Sequence, residues 1–228
     1  MKKTIYSFFF VVLAWAIAGC PDSGKIRKKM PRLFTINFVM ETGAEPSFMI
    51  SEDFNRDGEI DLVVTNSGDN TLSYFKGNGD GTFKSQIIMN TGEDPICVVT
   101  SDFNNNGYLD LAVLNYRDQT INIYFNSRFG NFKKTGITLR PGKIPINMVS
   151  GDFNRDGIND LAVTMRYHKV MILLGKGKGR FKNPVPIKVK GQPTAIVVGD
   201  YDKNKILDIG VALAGSGKTG VQILWGVG

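Results

Sequence analysis

From residue 33 onward the chain is a succession of short runs rich in Val, Ile, Phe and Tyr, bounded by Gly, Asn, Asp and Pro. No helical period of useful length interrupts them, so the texture is that of strands. The runs recur in one order. A first strand opens with Pro: PSFMISEDF, PICVVTSDF, PINMVSGDF and PTAIVVGDY, from Pro46, Pro95, Pro145 and Pro193. Proline is harmless at that position, where its missing N–H takes nothing from a ladder. A second run is almost continuously apolar: IDLVVTN, LDLAVLN, NDLAVTM and LDIGVAL. That suits a strand covered on both faces by neighbouring sheets. A third (NTLSYFKG, QTINIYFN, KVMILLG, GVQILWG) and a fourth (FKSQIIMNTG, FKKTGITLRPG, FKNPVPIKVKG) complete the unit.

Four antiparallel strands per repeat make a propeller blade, and a fixed period of this length is a repeat signature. The expected fold is all-β: a small β-propeller of four blades with four antiparallel strands each. The fourth unit stops at VQILWGVG, residues 221–228, without a fourth strand. The stretch LFTINFVMETGAEP, residues 33–46, is an unmatched strand whose ending resembles FKSQIIMNTGEDP. It is expected to complete the last blade and close the ring, which would leave no exposed edge. The matched ends favour closure within one chain, as a monomer. A side-by-side dimer forming an eight-blade ring, or a longer parent chain, is the alternative.

Between the first and second strands lies a loop that carries the chemistry. It reads DFNRDGEID from Asp53, DFNNNGYLD from Asp102, DFNRDGIND from Asp152 and DYDKNKILD from Asp200, with starts 49, 50 and 48 residues apart. Oxygen-bearing side chains fall at loop positions 1, 3, 5 and 9. A hard cation such as Ca²⁺ wants several oxygen ligands at short range. The candidate donors are Asp53, Asn55, Asp57 and Asp61, with the carbonyl of Glu59. Their counterparts are Asp102, Asn104, Asn106, Asp110 and the carbonyl of Tyr108. The third set is Asp152, Asn154, Asp156, Asp160 and the carbonyl of Ile158, and the fourth Asp200, Asp202, Asn204, Asp208 and the carbonyl of Ile206. Asn106 costs the second loop a charge. Lys203 and Lys205 add repulsion to the fourth, and Lys205 stands where the others have Gly. Asp, Asn and Gly also make turns without any metal, but four such loops at one spacing point to an ion.

The loop DFNRDGEIDLVV and the turn YFKGNGDGTF at 74–83 resemble the FG-GAP or VCBS repeat, found in the propeller of integrin α-subunits and in bacterial surface and secreted proteins. The resemblance covers residues 33–228. It implies a calcium ion in the turn between the first two strands of each blade, held by the side chains named above. Here the ion would be structural, because no separate base or nucleophile accompanies the loops.

Composition changes the picture at the N-terminus. Residues 1–19 read as an export signal: Lys2 and Lys3, then an apolar run over 5–18 that is too short to span a membrane. The ending IAGC resembles the lipobox of bacterial lipoproteins, with Ile17 in place of the common Leu. That implies cleavage after Gly19 and lipidation of Cys20, followed by a basic tether over 20–32. Two or three acyl chains would hold the protein to a membrane in the bacterial cell envelope, facing the periplasm or the exterior. The mature chain would have 209 residues (228−19) and a charge near +5, since the signal removes two of the seven excess positive charges. Export argues against nucleic acid as a partner. Cys97, in the run ICVV, reads as a small buried hydrophobe.

No catalytic constellation stands out. His168 is the only histidine and falls in a turn. Glu45, Glu52, Glu59, Glu93 and Asp94 lie at blade ends, where a carboxylate pair would suit a glycosidase-like reaction. Lys176, Lys178, Arg180, Lys182, Lys188 and Lys190 form a basic run in the third unit. Tyr74, Tyr124, Phe125, Trp225 and the repeated Phe83, Phe132 and Phe181 read as packing residues. The expectation is a binding or scaffold module for a protein or glycan, more a binder than an enzyme. The alternative is an exported hydrolase or lyase with its site on the propeller face or in the central channel.

Overall fold

The computed structural model describes residues 38–215 and 218–228, apart from the side chains of residues 136 and 137. The signal segment, Cys20 and the tether lie outside the described residues. One compact unit spans Met40–Gly228. Among the described residues it contains strands and no helix.

Among the described residues fifteen strands form four sheets. The first is β1 (Pro46–Glu52), β2 (Asp61–Asn66), β3 (Thr71–Phe75) and β4 (Ile87–Asn90). The second is β5 (Pro95–Ser101), β6 (Asp110–Asn115), β7 (Thr120–Asn126) and β8 (Phe132–Leu139). The third is β9 (Pro145–Gly151), β10 (Asp160–Met165), β11 (Lys169–Leu173) and β12 (Val185–Lys188). The fourth is β13 (Gln192–Gly199), β14 (Asp208–Ala214) and β15 (Gly220–Leu224). Neighbours in sequence are neighbours in each sheet, all antiparallel. The chain is therefore a four-blade propeller with the strand order expected from its repeats.

Each inner strand carries a bulge just after its proline, at Pro46/Phe48, Pro95/Cys97 and Pro193/Ala195, with a matching register shift beside Pro145. Glu45, Asp94 and Ile144, immediately before three of those prolines, sit at φ 51, 59 and 57. A β-branched residue such as Ile144 is strained there. The fourth strands of blades 1 and 3 are shorter than the pattern predicts, whereas β8 begins at Phe132 as expected. Phe83 and Phe181 touch the sheet only through isolated bridges to Gly77 and Gly175, and pairing resumes several residues later.

The core lies between blades. Phe54, Val63, Leu72 and Tyr74 of blade 1 pack on Val98, Leu111, Val113 and Tyr124 of blade 2. Cys97, Phe103, Leu114, Ile121 and Ile123 face Met148, Leu161, Val163 and Leu173 of blade 3. Ala162, Val170 and Ile172 face Ile196, Ile209, Val211 and Leu213 of blade 4. This explains the nearly continuous apolar second strands: β6 and β10 are buried at every position.

Successive inner strands lie side by side, β1 with β5, β5 with β9 and β9 with β13, whereas β13 and β1 share no interface of that kind. The closing strand expected over 33–46 falls outside the described residues for 33–37. Over 38–45 the chain makes no strand and joins β1 only at Pro46. Trp225 departs from its expected role, being 57% exposed rather than packed.

Candidate metal loops

The four β1–β2-type loops repeat one hydrogen-bond scheme. The N–H at position 5 donates to the side-chain oxygens of positions 1 and 3. In loop 1 that is Asp57 N to Asp53 Oδ1 at 3.2 Å and to Asn55 Oδ1 at 2.8 Å. The same pair recurs from Asn106, Asp156 and Asn204. The N–H at position 6 donates to the other oxygen of position 1: Gly58 to Asp53, Gly107 to Asp102, Gly157 to Asp152 and Lys205 to Asp200. Position 7 donates to position 5, from Glu59, Tyr108, Ile158 and Ile206. These nested Asx turns explain why Asp and Asn recur at alternate positions.

Position 9 is the buried anchor. Asp61, Asp110, Asp160 and Asp208 are all fully buried. One oxygen of each accepts an N–H from the end of the third strand: Gly77 at 2.9 Å, Asn126 at 2.8 Å, Gly175 at 2.7 Å and Gly226 at 2.8 Å. The other oxygen accepts the N–H of position 2 in three loops, from Phe103, Phe153 and Tyr201. In loop 1 the Tyr74 hydroxyl donates instead, at 2.8 Å. Burial pushes the Asp110 carboxyl up to about 6, opposed by hydrogen bonds from Asn126 and Phe103. Asp160 is raised for the same reason.

At Gly77, Gly175 and Gly226 an added Cβ would collide with the backbone oxygen of Ile60, Asn159 or Leu207. Asn126 fills that position in blade 2, and its amide donates to Phe54 O of blade 1 at 2.8 Å. Asn159 Nδ2 to Asp102 O links loops 2 and 3 in the same way, and Gly179 N to Phe103 O links loop 2 to the β11–β12 turn. The loop aromatics complete these joints. Phe54 meets Tyr74 and Phe132 edge-on, and Phe103 meets Phe181.

As a donor set for a hard cation, the loops fit the chemistry. Loops 1 and 3 bring carboxylates at positions 1, 5 and 9, loop 4 at 1, 3 and 9, and loop 2 only at 1 and 9. In loop 4, ligand oxygens of Asp200, Asp202 and Asp208 all lie within 4.8 Å of one another. The loop with two lysines thus holds the tightest carboxylate group. Lys205 takes φ 67 where the other loops use Gly. A feature the sequence did not reveal is the left-handed residue at position 4: Arg56, Asn105, Arg155 and Lys203, at φ 59, 61, 59 and 64. Arg56 bonds Gly107 O and lies over the Tyr108 ring at 4.5 Å, tying loop 1 to loop 2.

Elsewhere the structure sorts the other candidates. Glu45, Glu93 and Asp94 share a polar cavity of about 410 Å³ with Arg117, Ser67, Gly68 and Asn70. Asp94 is raised there by burial, with Arg117 opposing and Glu45 reinforcing. Glu52 ends β1 at its opposite end, and Glu59 lies in the loop beyond it. His168 occupies a turn, as expected, at φ 63. The basic run divides: exposed Lys176, Lys178, Arg180 and Lys182 sit on the β11–β12 turn, Lys188 and Lys190 at the far end of β12. Cys97 is buried, and its Sγ donates to Asn147 Oδ1 at 3.4 Å. Burial pushes its thiol up to about 12.

Comparison with solved structures finds a chain from the crystal structure of BBS1N in complex with ARL6DN, soaked with lead. It is 18% identical, with 81% of this chain and 57% of that one covered, at TM-score 0.52. A mercury-soaked crystal of the same complex gives 21% identity, 74% and 49% coverage and TM-score 0.49. A chain of the Photorhabdus luminescens Tc holotoxin pore gives 15%, 80%, 11% and 0.43. The chain spans 57% of the length of the first of these, and at such identity the likeness is one of fold. No curated protein matches the chain. The FG-GAP-like repeat model matches residues 53–113, 102–163 and 152–211, each match running from one loop into the next blade, and the chain belongs to the FG-GAP-like repeat family.

Proposed function

We propose that this FG-GAP repeat propeller is a calcium-stabilised binding module for a protein or glycan partner, lipid-anchored at Cys20 in the bacterial cell envelope and facing the periplasm or the exterior. The observation that carries the calcium reading is the repeated carboxylate set, with three oxygens drawn together in loop 4. Asp53, Asp57 and Asp61, Asp152, Asp156 and Asp160, and Asp200, Asp202 and Asp208 would hold the ions, with Asn55, Asn154 and Asn204 and the carbonyls at position 7 completing them. Loop 2, with Asn104, Asn106 and the Tyr108 carbonyl beside Asp102 and Asp110, would bind less well. Bound calcium neutralises carboxylates that otherwise repel one another; it supplies no reaction step here. Extracellular calcium modules bind on the order of 10⁻⁴–10⁻³ M.

The binding role rests on the family, whose propellers commonly bind proteins, and on the lack of any base–nucleophile pair around the loops. The test is thermal melting of the full chain stripped of metal, then titrated with calcium. Calcium should raise the melting temperature, and EDTA should reverse the gain while leaving the β signal at room temperature. A melting curve that calcium does not move sinks the reading. The anchor is tested separately: Cys20→Ala should abolish incorporation of labelled palmitate and release the protein from membranes.

A further inference from the structure

At each internal junction the same positions meet. Leu72 and Phe54 of blade 1 share a core with Val98 of blade 2. Ile121 and Phe103 of blade 2 share one with Met148 of blade 3, and Val170 and Phe153 of blade 3 share one with Ile196 of blade 4. Register fixes the equivalence: Val98, Met148 and Ile196 pair with Val113, Val163 and Val211, and Met49 pairs with Val64 at the same place in blade 1. Leu72, Ile121 and Val170 correspond likewise to Val221 of β15.

The two ends of the array break the pattern in complementary ways. Met49 is 59% exposed, whereas Val98, Met148 and Ile196 are 0, 1 and 5% exposed. Val221 is 74% exposed, whereas its three counterparts are fully buried. Tyr201, the loop aromatic of blade 4, is 45% exposed against 1% for Phe54 and Phe103, and Val197 beside it is 57% exposed. Blade 4 thus presents the face that, inside the chain, seats on the next blade. Blade 1 presents the face that receives one. Among the described residues β13 and β1 make no contact of the kind that joins β1 to β5, β5 to β9 and β9 to β13.

We infer that these faces bind each other between copies, blade 4 of one chain seating on blade 1 of a second. A second copy is the occupant because it carries, residue for residue, the surface that three internal junctions already match. Such a contact is heterologous, and two of them close a symmetric ring of two chains. The inference is independent of calcium and of the lipid anchor.

The test uses two differently tagged copies of the full chain, co-expressed, solubilised in mild detergent and weighed by light scattering. The wild-type copies should co-purify at twice the mass of one chain. Met49→Glu and Val221→Glu each place an unpaired carboxylate in the contact and should weaken self-association about 100-fold. Both sites are exposed on the single chain, so melting of dilute, monomeric protein should be unchanged; a variant that has lost stability there is replaced by Met49→Lys or Val221→Lys. Mixing the two variants restores one intact contact and should restore a two-chain species. A wild-type chain that stays monomeric at every concentration overturns the inference. So does a Met49→Glu variant that still dimerises alone, which would mean a like-with-like contact.

Discussion

Tyr74→Phe isolates one hydrogen bond to a buried charge. Asp61 is fully buried, and its Oδ1 accepts Gly77 N while its Oδ2 accepts the Tyr74 hydroxyl at 2.8 Å. Loops 2 to 4 satisfy the equivalent oxygen with a backbone N–H, so only in blade 1 does a side chain do it. Burial, then the bond to Asp61, raises the phenol pKa, which keeps the proton on Tyr74 as donor. Removing the hydroxyl leaves the ring packed on Phe54 and Phe132 but strands one carboxylate oxygen. A hydrogen bond to a charged group contributes about 1.5–3 kcal/mol. Tyr124→Phe is the control: equally buried, its hydroxyl donates to the neutral Asn90 O at 2.7 Å, a bond worth about 0.5–1.5 kcal/mol. Urea unfolding in EDTA, followed by circular dichroism at constant m, should show Tyr74→Phe the costlier by about 1 kcal/mol, or roughly 2–4 °C in Tm. Equal costs, or a Tyr74→Phe loss below about 0.5 kcal/mol, would refute the assignment of Tyr74 as the stabilising partner of Asp61.

The remaining predictions address backbone fit and burial. Gly77→Ala drives a methyl into Ile60 O and should cost about 2–3 kcal/mol, whereas Gly81→Ala meets open space at φ 87 and should cost about 1 kcal/mol; a reversed order in thermal melts counts against the close approach at Gly77. Cys97 should resist thiol reagents at pH 8 until urea unfolds the chain, and labelling of the native protein at the rate of a free thiol would contradict its burial. Its folded pKa is raised from 9.0 to about 12, so its contribution to stability is intact below pH 9 and is lost as pH rises from there towards 12, by up to about 1.4 kcal/mol per unit. Tyr74 and Tyr124 add their own losses higher up, so the slope is read between pH 9 and 10, where Cys97→Ala should flatten it.

The repeat made most of this fold legible. Spacing placed the four loops, and the apolar second runs marked the strands that are covered on both sides. Position 9 was visible as an Asp, but not its second role, because the partner N–H lies a whole hairpin away at Gly77, Asn126, Gly175 or Gly226. A Gly roughly 15 to 18 residues after that Asp, in three of the four blades, was the available signal. The bulges after the prolines and the left-handed residues at position 4 left no trace in composition, since Arg, Asn and Lys all occupy that position. The six basic residues looked contiguous because sequence distance hides the reversal between the β11–β12 turn and the far end of β12. Trp225 was misread because its counterparts Phe125 and Leu174 pack against cores between blades, whereas Trp225 joins none among the described residues.

The hydrogen bonds also bear on how much a cation has to do. Every loop already satisfies its own turn through positions 1, 3 and 5, and position 9 already ties the loop to the third strand. The hydrogen bonds of the turn are thus internal to each loop, and a bound ion would add relief of carboxylate repulsion to them. That relief scales with the charge gathered. Loop 2, with two carboxylates, has least to gain, and loop 4, with three in close approach beside Lys203 and Lys205, already has partial compensation from its own cations. The largest gain would fall to loops 1 and 3, where carboxylates at positions 1, 5 and 9 stand with a single cation, Arg56 or Arg155, against two lysines in loop 4. Asp57→Asn and Asp156→Asn should therefore lower the calcium-dependent rise in melting temperature more than Asn106→Asp raises it, since restoring a third carboxylate at loop 2 also adds repulsion that the ion must first cancel.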